Sequence, residues 1–189
     1  MATPAPSIET FRNVATLKDG VRVLFRPLTP NDYDGLVKLF TPLNEEDRVA
    51  LRGDVDEELI KGWIDHLDYD RLLPLVAEVR HEIIGEGTLH YGRGPYRHTA
   101  EVRVFLAKAW RQRGVGTHLL QTVIDIARRQ GIHILTAEIL SSQTHIIKAF
   151  GALGFKTKAT IDDYFMLPDG RTQDVVLMLN SLVSHHDEF

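Results

Sequence analysis

The chain has 189 residues, of which 43% are hydrophobic and 25% are charged, with a formal net charge of -4 and no cysteine. The lack of cysteine excludes disulfides, thiolate metal sites and a cysteine nucleophile. Because binding many phosphates requires a basic excess, the acidic balance argues against a nucleic acid as partner. No apolar run has membrane-spanning length and no signal-peptide pattern is present, so we expect a cytoplasmic protein with no membrane partner.

Residues 17–182 are expected to form one domain, between a flexible N-terminal arm at residues 1–16 and a flexible tail at residues 183–189. In chain order, the hydrophobic patterns predict a strand at 21–26, helices at 29–40 and 56–66, strands at 73–79, 83–91 and 99–106, a helix at 116–129, a strand at 133–140, a helix at 143–153, and a closing hairpin of strands at 155–166 and 172–179. The combination of hairpins and β-α-β crossovers predicts an α/β fold, with a mixed sheet and helices on both faces.

The most informative segment is the loop at residues 111–116, Arg-Gln-Arg-Gly-Val-Gly, between a predicted strand and the longest predicted helix. A helix start carries unpaired N–H groups and a partial positive charge. Gly114 and Gly116 allow the backbone to approach an anion closely, and Arg111 and Arg113 add positive charge. A phosphate or pyrophosphate is therefore the expected ligand. The alternative is a helix start at which glycine only suits the turn.

At this loop the chain resembles the GNAT superfamily of acyl-CoA N-acyltransferases. Arg111, Gly114 and Gly116 fit the family pattern Arg/Gln-x-x-Gly-x-Gly/Ala, and a later segment ends in Leu-Gly-Phe at Phe155, like the second signature of the family. The resemblance implies a GNAT fold, with a mostly antiparallel sheet that contains one splayed parallel pair. It also implies acetyl-CoA, or another short acyl-CoA, as co-substrate. The nine histidines show no spacing typical of metal ligands, so we expect no metal.

The resemblance further implies which residues hold the co-substrate. Backbone amides of residues 112–117 would bind the pyrophosphate of CoA. The exposed strand edge near Phe105 and Leu106 would pair with the pantetheine amides, as an added strand would. The residues expected to contact the co-substrate are Phe105, Leu106, Arg111, Gln112, Arg113, Gly114, Val115, Gly116, Thr117, Gln143 and Phe150.

The reaction that the resemblance implies is direct attack of an amine on the thioester carbonyl, which requires a group that accepts the proton of the amine. Glu101 is the candidate general base, since its surroundings resemble those of the glutamate with that role in bacterial protein-lysine acetyltransferases. We expect burial to raise its pKa. The alternative is a strand glutamate that pairs with Arg103 or Arg97.

Two positions depart from the family pattern. Phe150 stands where many members have a tyrosine that protonates the departing thiolate, and Gln143 replaces the usual asparagine. Tyr164 is a weak candidate for a substitute proton donor. We expect a protein lysine as acceptor, in a cleft built by the first two helices and the last hairpin. A small-molecule amine, or a non-catalytic module that senses acyl-CoA, is the alternative, and the sequence leaves a homodimer open.

Overall fold

The computed structural model describes residues 8–167 and 169–183. The first seven residues of the predicted arm, Pro168 in the predicted hairpin turn and residues 184–189 of the predicted tail lie outside the described residues. Within the described part of the chain, no helix is both long enough and apolar enough to cross a membrane.

The elements agree closely with the sequence prediction. The strands are β1 Asn13–Thr16, β2 Arg22–Pro27, β3 Leu72–Val79, β4 Glu82–Tyr91, β5 Thr99–Leu106, β6 Ile134–Leu140, β7 Lys156–Met166 and β8 Thr172–Ser181. The helices are α1 Tyr33–Phe40, α2 Glu45–Ala50, α3 Glu57–Asp65, α4 Val115–Arg129 and α5 Thr144–Ala152.

The described strands form one mixed sheet in the order β1-β2-β3-β4-β5-β6-β8-β7. The pair β5–β6 is parallel, whereas β1–β2, β2–β3, β6–β8 and β7–β8 are antiparallel. The register of the parallel pair runs from Thr99↔Ile134 to Glu101↔Thr136 and ends there, although β5 continues to Leu106. The mixed sheet and its parallel pair confirm the predicted α/β fold class.

One compact unit comprises, of the described residues, 8–42, Val55–Thr88 and Val104–Val123. Its polar anchor is Arg26, whose guanidinium donates to Asp32 at 2.7 and 2.8 Å and to Glu78 at 2.8 Å. Burial alone would raise the pKa of Asp32, but the hydrogen bonds from Arg26 and Thr29 outweigh it and leave the pKa below its ordinary value. Its largest fully buried side chains include Phe25, Leu28, Leu36, Phe40, Ile60, Leu73, Leu75, Ile84 and Leu119.

The other compact unit comprises, of the described residues, Leu43–Asp54, Leu89–Arg103, 124–167 and 169–183. Asn180 of β8 is buried and donates to Leu153 O, at the end of α5, at 2.9 Å. This bond fixes α5 on the strand that pairs with β6. Its buried apolar side chains include Leu89, Ala100, Val102, Ile124, Leu135, Ala137, Phe150, Phe155, Val175 and Met178.

Two elements were missed by the sequence analysis. Residues 13–16 were assigned to the flexible arm, but they form β1, which pairs with β2 from Asn13↔Phe25 to Thr16↔Arg22. The helix α2 was not predicted either. It is only six residues long, and its start is stabilised by Asn44, whose side chain accepts a hydrogen bond from Asp47 N at 2.8 Å.

Candidate active site

The predicted anion-binding loop is a tight turn that leads into α4. Gln112 and Gly114 both have positive φ, at 59° and 88°. The bond from His118 N to Gly114 O, at 3.1 Å, is the first i to i−4 bond of the helix. The N–H groups of residues 115–117 therefore precede the helical hydrogen-bond ladder and are available to an anion.

Glycine is required at positions 114 and 116 for different structural reasons. A Cβ on Gly114 would meet no heavy atom within 4 Å, so the residue is needed for its backbone conformation. A Cβ on Gly116 would lie 3.2 Å from Leu106 Cδ1. Gly116 therefore allows the first turn of α4 to pack closely against the end of β5.

The two arginines of the loop contact the protein itself. Arg111 Nε donates to Leu106 O at 3.0 Å, and its guanidinium lies 5.5 Å from the ring centre of Phe105. Arg113 lies over the ring of Trp110 at 4.2 Å and pairs with Asp19. Arg111 thus fixes the loop to the end of β5, which is a structural role that the sequence analysis did not assign to it.

Two hydrogen bonds define how β5 pairs with β4. Gly92 N donates to Thr99 O and Ala107 N donates to Ile84 O, both at 2.9 Å. Residues with odd numbers in β5 therefore direct their backbone N–H and C=O groups toward β4. The backbone groups of Val104 and Leu106 point to the opposite edge, beyond the last β5–β6 pair at Glu101. This edge can accept an added extended ligand.

The candidate base Glu101 lies among arginines. Its carboxylate accepts hydrogen bonds from Arg103 at 3.0 Å on each oxygen and from Arg52 Nη2 at 2.7 Å. The same nitrogen of Arg52 lies 2.9 Å from Glu138 Oε2. Glu101 is thus paired with Arg103, as the alternative interpretation of the sequence expected, and also with Arg52, which no sequence pattern indicated.

The predicted rise in the pKa of Glu101 is wrong. Burial does favour the neutral carboxyl, but the hydrogen bond from Arg103 and the charges of Arg103 and Arg52 outweigh it and lower the pKa. His90 lies opposite Glu101 in the β4–β5 register. Burial, followed by the charge of Arg103, lowers the pKa of His90 to about 4, so its imidazole is neutral near pH 7.

A second carboxyl group, which the sequence analysis missed, lies on the same strand as His90. Glu86 is opposite Phe105 in the β4–β5 register, and Phe105 stacks on Phe40 with ring centres 5.3 Å apart. The carboxyl group is desolvated, although part of the residue's surface remains exposed. Burial raises the pKa of Glu86 to about 7, opposed only by a hydrogen bond from Thr88.

The two positions that depart from the family pattern, and the possible substitute donor Tyr164, differ in their surroundings. Phe150 is buried and packs edge-on against Phe155, with ring centres 5.0 Å apart. Gln143 occupies the N-cap position of α5 without a capping hydrogen bond from its side chain. Tyr164 is exposed on β7. Contacts of Phe150 and Gln143 with CoA, and proton donation by Tyr164, stay predictions.

A pocket of about 600 Å³ opens between α2, the loop that follows it and the end of β7. Arg52 lines this pocket and also contacts Glu101, so the pocket adjoins the candidate base. Its walls include Arg48, Val49, Arg52, Phe165, Met166 and Leu167. Within residues 8–167 and 169–183, no group of three or more His, Asp or Glu side chains could hold a metal ion.

Comparison with known proteins identifies the family. The model of the acetyltransferase (GNAT) family matches residues 37–155, which is more than half of the chain. The chain therefore belongs to the GNAT acetyltransferase family, as the loop and the Leu-Gly-Phe segment predicted.

Individual relatives cover less of the sequence. The chain is 33% identical over 90 residues to the L-methionine sulfoximine/L-methionine sulfone acetyltransferase of Salmonella typhimurium, which is 48% of this chain and 52% of that protein. The chain spans about half, or less, of the length of the curated relatives that it matches.

Solved structures match over most of the chain. The GNAT domain of S. lividans PAT has a TM-score of 0.76 at 22% identity, over 94% of this chain and 99% of that chain. The structure of yncA from Salmonella typhimurium with its cofactor acetyl-CoA has a TM-score of 0.72 at 24% identity, over 87% of this chain and 96% of that chain. At these identities the two structures show the fold, and the predicted GNAT fold is confirmed.

Proposed function

We propose that the protein is an N-acetyltransferase that transfers the acetyl group of acetyl-CoA to a primary amine. The observation that carries this proposal is the first turn of α4. The three N–H groups that follow Gly114, those of residues 115–117, come before the first hydrogen bond of the helix. The diphosphate of CoA is the anion that this turn would hold. One of the structures that share the fold contains acetyl-CoA.

The neighbouring strand supports binding of the rest of the co-substrate. The backbone groups of Val104 and Leu106 face the edge of β5 that is beyond its last pair with β6. Pantetheine amides can pair with such an edge as an added strand would. Because Arg111 Nε already occupies Leu106 O at 3.0 Å, the expected partners are Val104 N, Val104 O and Leu106 N.

In the proposed reaction, the nitrogen lone pair of the acceptor attacks the thioester carbonyl. The new N–C bond forms, the C–S bond breaks, and CoA leaves as a thiolate. The amine must lose a proton, and we propose that the Glu101 carboxylate accepts it. A thiol has a pKa of about 8.5, so the thiolate leaves readily even though Phe150 cannot donate a proton to it.

The acceptor is either a small molecule or a protein lysine. The pocket beside Glu101, with a volume of about 600 Å³ and a side open to solvent, has room for a small acceptor. The relative from Salmonella typhimurium is named for two small amino-acid substrates. We therefore favour a small-molecule amine over the protein lysine that the surroundings of Glu101 suggested.

The variant Glu101→Gln tests the proposed mechanism. We expect turnover, measured as release of free thiol from acetyl-CoA, to fall by about a hundredfold or more, since proton transfer by a positioned group contributes this much. Affinity for CoA, measured by calorimetry, should stay within about twofold, because Glu101 is not in the loop before α4. Unchanged turnover would remove Glu101 from this role. No thiol release by the wild-type protein with any amine, despite CoA binding, would instead favour an acyl-CoA sensor.

A further inference from the structure

Arg52 connects the pocket wall to the candidate base. It follows α2 in a left-handed conformation, with φ of 63°, and its side chain is only 24% exposed. Its Nη2 atom lies 2.7 Å from Glu101 Oε1 and 2.9 Å from Glu138 Oε2, and its guanidinium lies 5.1 Å from the ring centre of Phe165. The side chain is thus held at one end of the pocket by three different elements.

The guanidinium of Arg52 retains unused hydrogen-bonding capacity. A guanidinium has five N–H donors on three nitrogens. Both ion pairs of Arg52 use Nη2, and Nε and Nη1 have no partner among the residues that the structure describes. Since Arg52 also lines the pocket, a ligand there can accept hydrogen bonds from a charged donor.

The charges around Glu101 balance one another. Glu101 and Glu138 carry two negative charges, Arg52 and Arg103 carry two positive charges, and His90 is neutral near pH 7 because its pKa is lowered to about 4. A simple cation therefore finds no net negative charge in this cluster. A zwitterion matches it better, because its carboxylate can pair with a guanidinium while its ammonium group pairs with a carboxylate.

We propose that Arg52 is a specificity-determining residue that selects a small acceptor with a carboxylate beside its amine, such as a free amino acid. The carboxylate of the acceptor accepts hydrogen bonds from Nε and Nη1 of Arg52 and weakens the attraction of Arg52 for Glu101. The Glu101 carboxylate, which keeps its hydrogen bonds from Arg103, accepts one proton from the ammonium group, and the neutral amine attacks the thioester carbonyl. The second proton, which the nitrogen loses as the amide forms, goes to the departing thiolate of CoA. The apolar walls at Val49, Phe165 and Met166 face the side chain of the acceptor. This inference rests on the acetyltransferase function proposed above and adds its substrate class.

The test compares L-methionine sulfone with its carboxamide, which has the same amine and side chain but no carboxylate. Turnover of both with acetyl-CoA is measured by thiol release for the wild type, Arg52→Met and Arg52→Lys. We expect the wild type to prefer the free acid by about tenfold or more in kcat/KM, which is the size of effect that a hydrogen bond to a charged group gives. Arg52→Met should reduce this ratio to near one, chiefly by raising KM for the free acid. Arg52→Lys should keep part of the preference.

A matched control is Arg128→Met, which removes an arginine from an exposed ion pair with Asp125 on α4. It should keep the wild-type ratio.

A wild type that prefers the carboxamide or a blocked lysine peptide would overturn the inference, and this comparison requires no variant to fold. Equal losses for both acceptors in Arg52→Met, with Arg52→Lys no better, would also overturn it by showing a purely structural role. An absence of thiol release by the wild type with every acceptor would refute the proposed function itself.

Discussion

The carboxyl group of Glu86 provides a test of the packing between β4 and β5. It lies opposite Phe105, and burial raises its pKa from an ordinary 4.5 to about 7. Between these two pH values the folded state binds more protons than the unfolded state. The free energy of unfolding must therefore fall as the pH rises through this window, and the loss is complete once the pH exceeds the folded pKa.

The size of the effect follows from the same pKa values. A rise from 4.5 to about 7 corresponds to about 3 kcal/mol of stability lost above pH 7, at about 1.4 kcal/mol for each pKa unit. Glu86→Gln removes the ionisable group and keeps an oxygen that can accept the hydrogen bond of Thr88. We expect the variant to gain about 3 kcal/mol over the wild type between pH 5 and pH 8, which is about 6 to 12 °C in Tm for a chain of this size.

The assay is urea unfolding of both proteins at half-unit steps from pH 4.5 to pH 8.5. The quantity that decides is the difference in free energy of unfolding as a function of pH. Glu82→Gln, at the exposed start of the same strand, controls for the loss of one negative charge. A difference between Glu86→Gln and the wild type that is constant across this range would refute the assignment of Glu86 as a desolvated carboxyl group.

Three other variants test the loop before α4 and the polar anchor of the first unit. Gly114→Asp should weaken CoA binding by about tenfold relative to Gly114→Asn in calorimetry, because both variants strain the same positive φ but only Asp adds a negative charge near the diphosphate; equal affinities would contradict the assignment of the loop. Arg26→Met should cost about 3 to 5 kcal/mol in urea unfolding, since it leaves Asp32 and Glu78 without their cation. Asp32→Asn should flatten the fall in stability on acidification below about pH 4, because the pKa of Asp32 is lowered in the folded protein; an unchanged acid profile would contradict that assignment.

The elements with a long and regular hydrophobic pattern could be predicted from the sequence. The predicted helix at 116–129 differs from α4 by one residue at its start, and β5 has the predicted bounds. The strand β1 was missed because it has only four residues, three of them exposed, so it shows no alternation. The helix α2 had a detectable signal, an Asn44 N-cap followed by three acidic residues, but six residues are too few for a helical periodicity.

The loop before α4 and the surroundings of Glu101 differ in how far the sequence could define them. A helix start that binds an anion is a local feature, since its glycines, its arginines and its first turn are adjacent in the chain. The surroundings of Glu101 are not local, because Arg52 is 49 residues away and Glu138 is on the neighbouring strand. Burial and a partner at Arg103 could be foreseen from the strand pattern, but the second arginine, Arg52, could not. Together the hydrogen bond from Arg103 and the charges of both arginines outweigh burial, so the predicted direction of the pKa change was wrong.

This difference has a consequence for specificity within the family. Arg52 lies in the left-handed turn after the short helix α2. This segment is separate in the sequence from the loop before α4. A relative can therefore keep the glycine loop and its co-substrate while a change in the α2 segment alters the charge beside the proposed base. We expect the choice of acceptor in each relative to depend on the residue that pairs with the glutamate corresponding to Glu101, and not on the glycine loop. If Arg52→Met changes the preference between the free acid and the carboxamide but leaves CoA affinity within about twofold, different residues of this protein select the acceptor and bind the co-substrate.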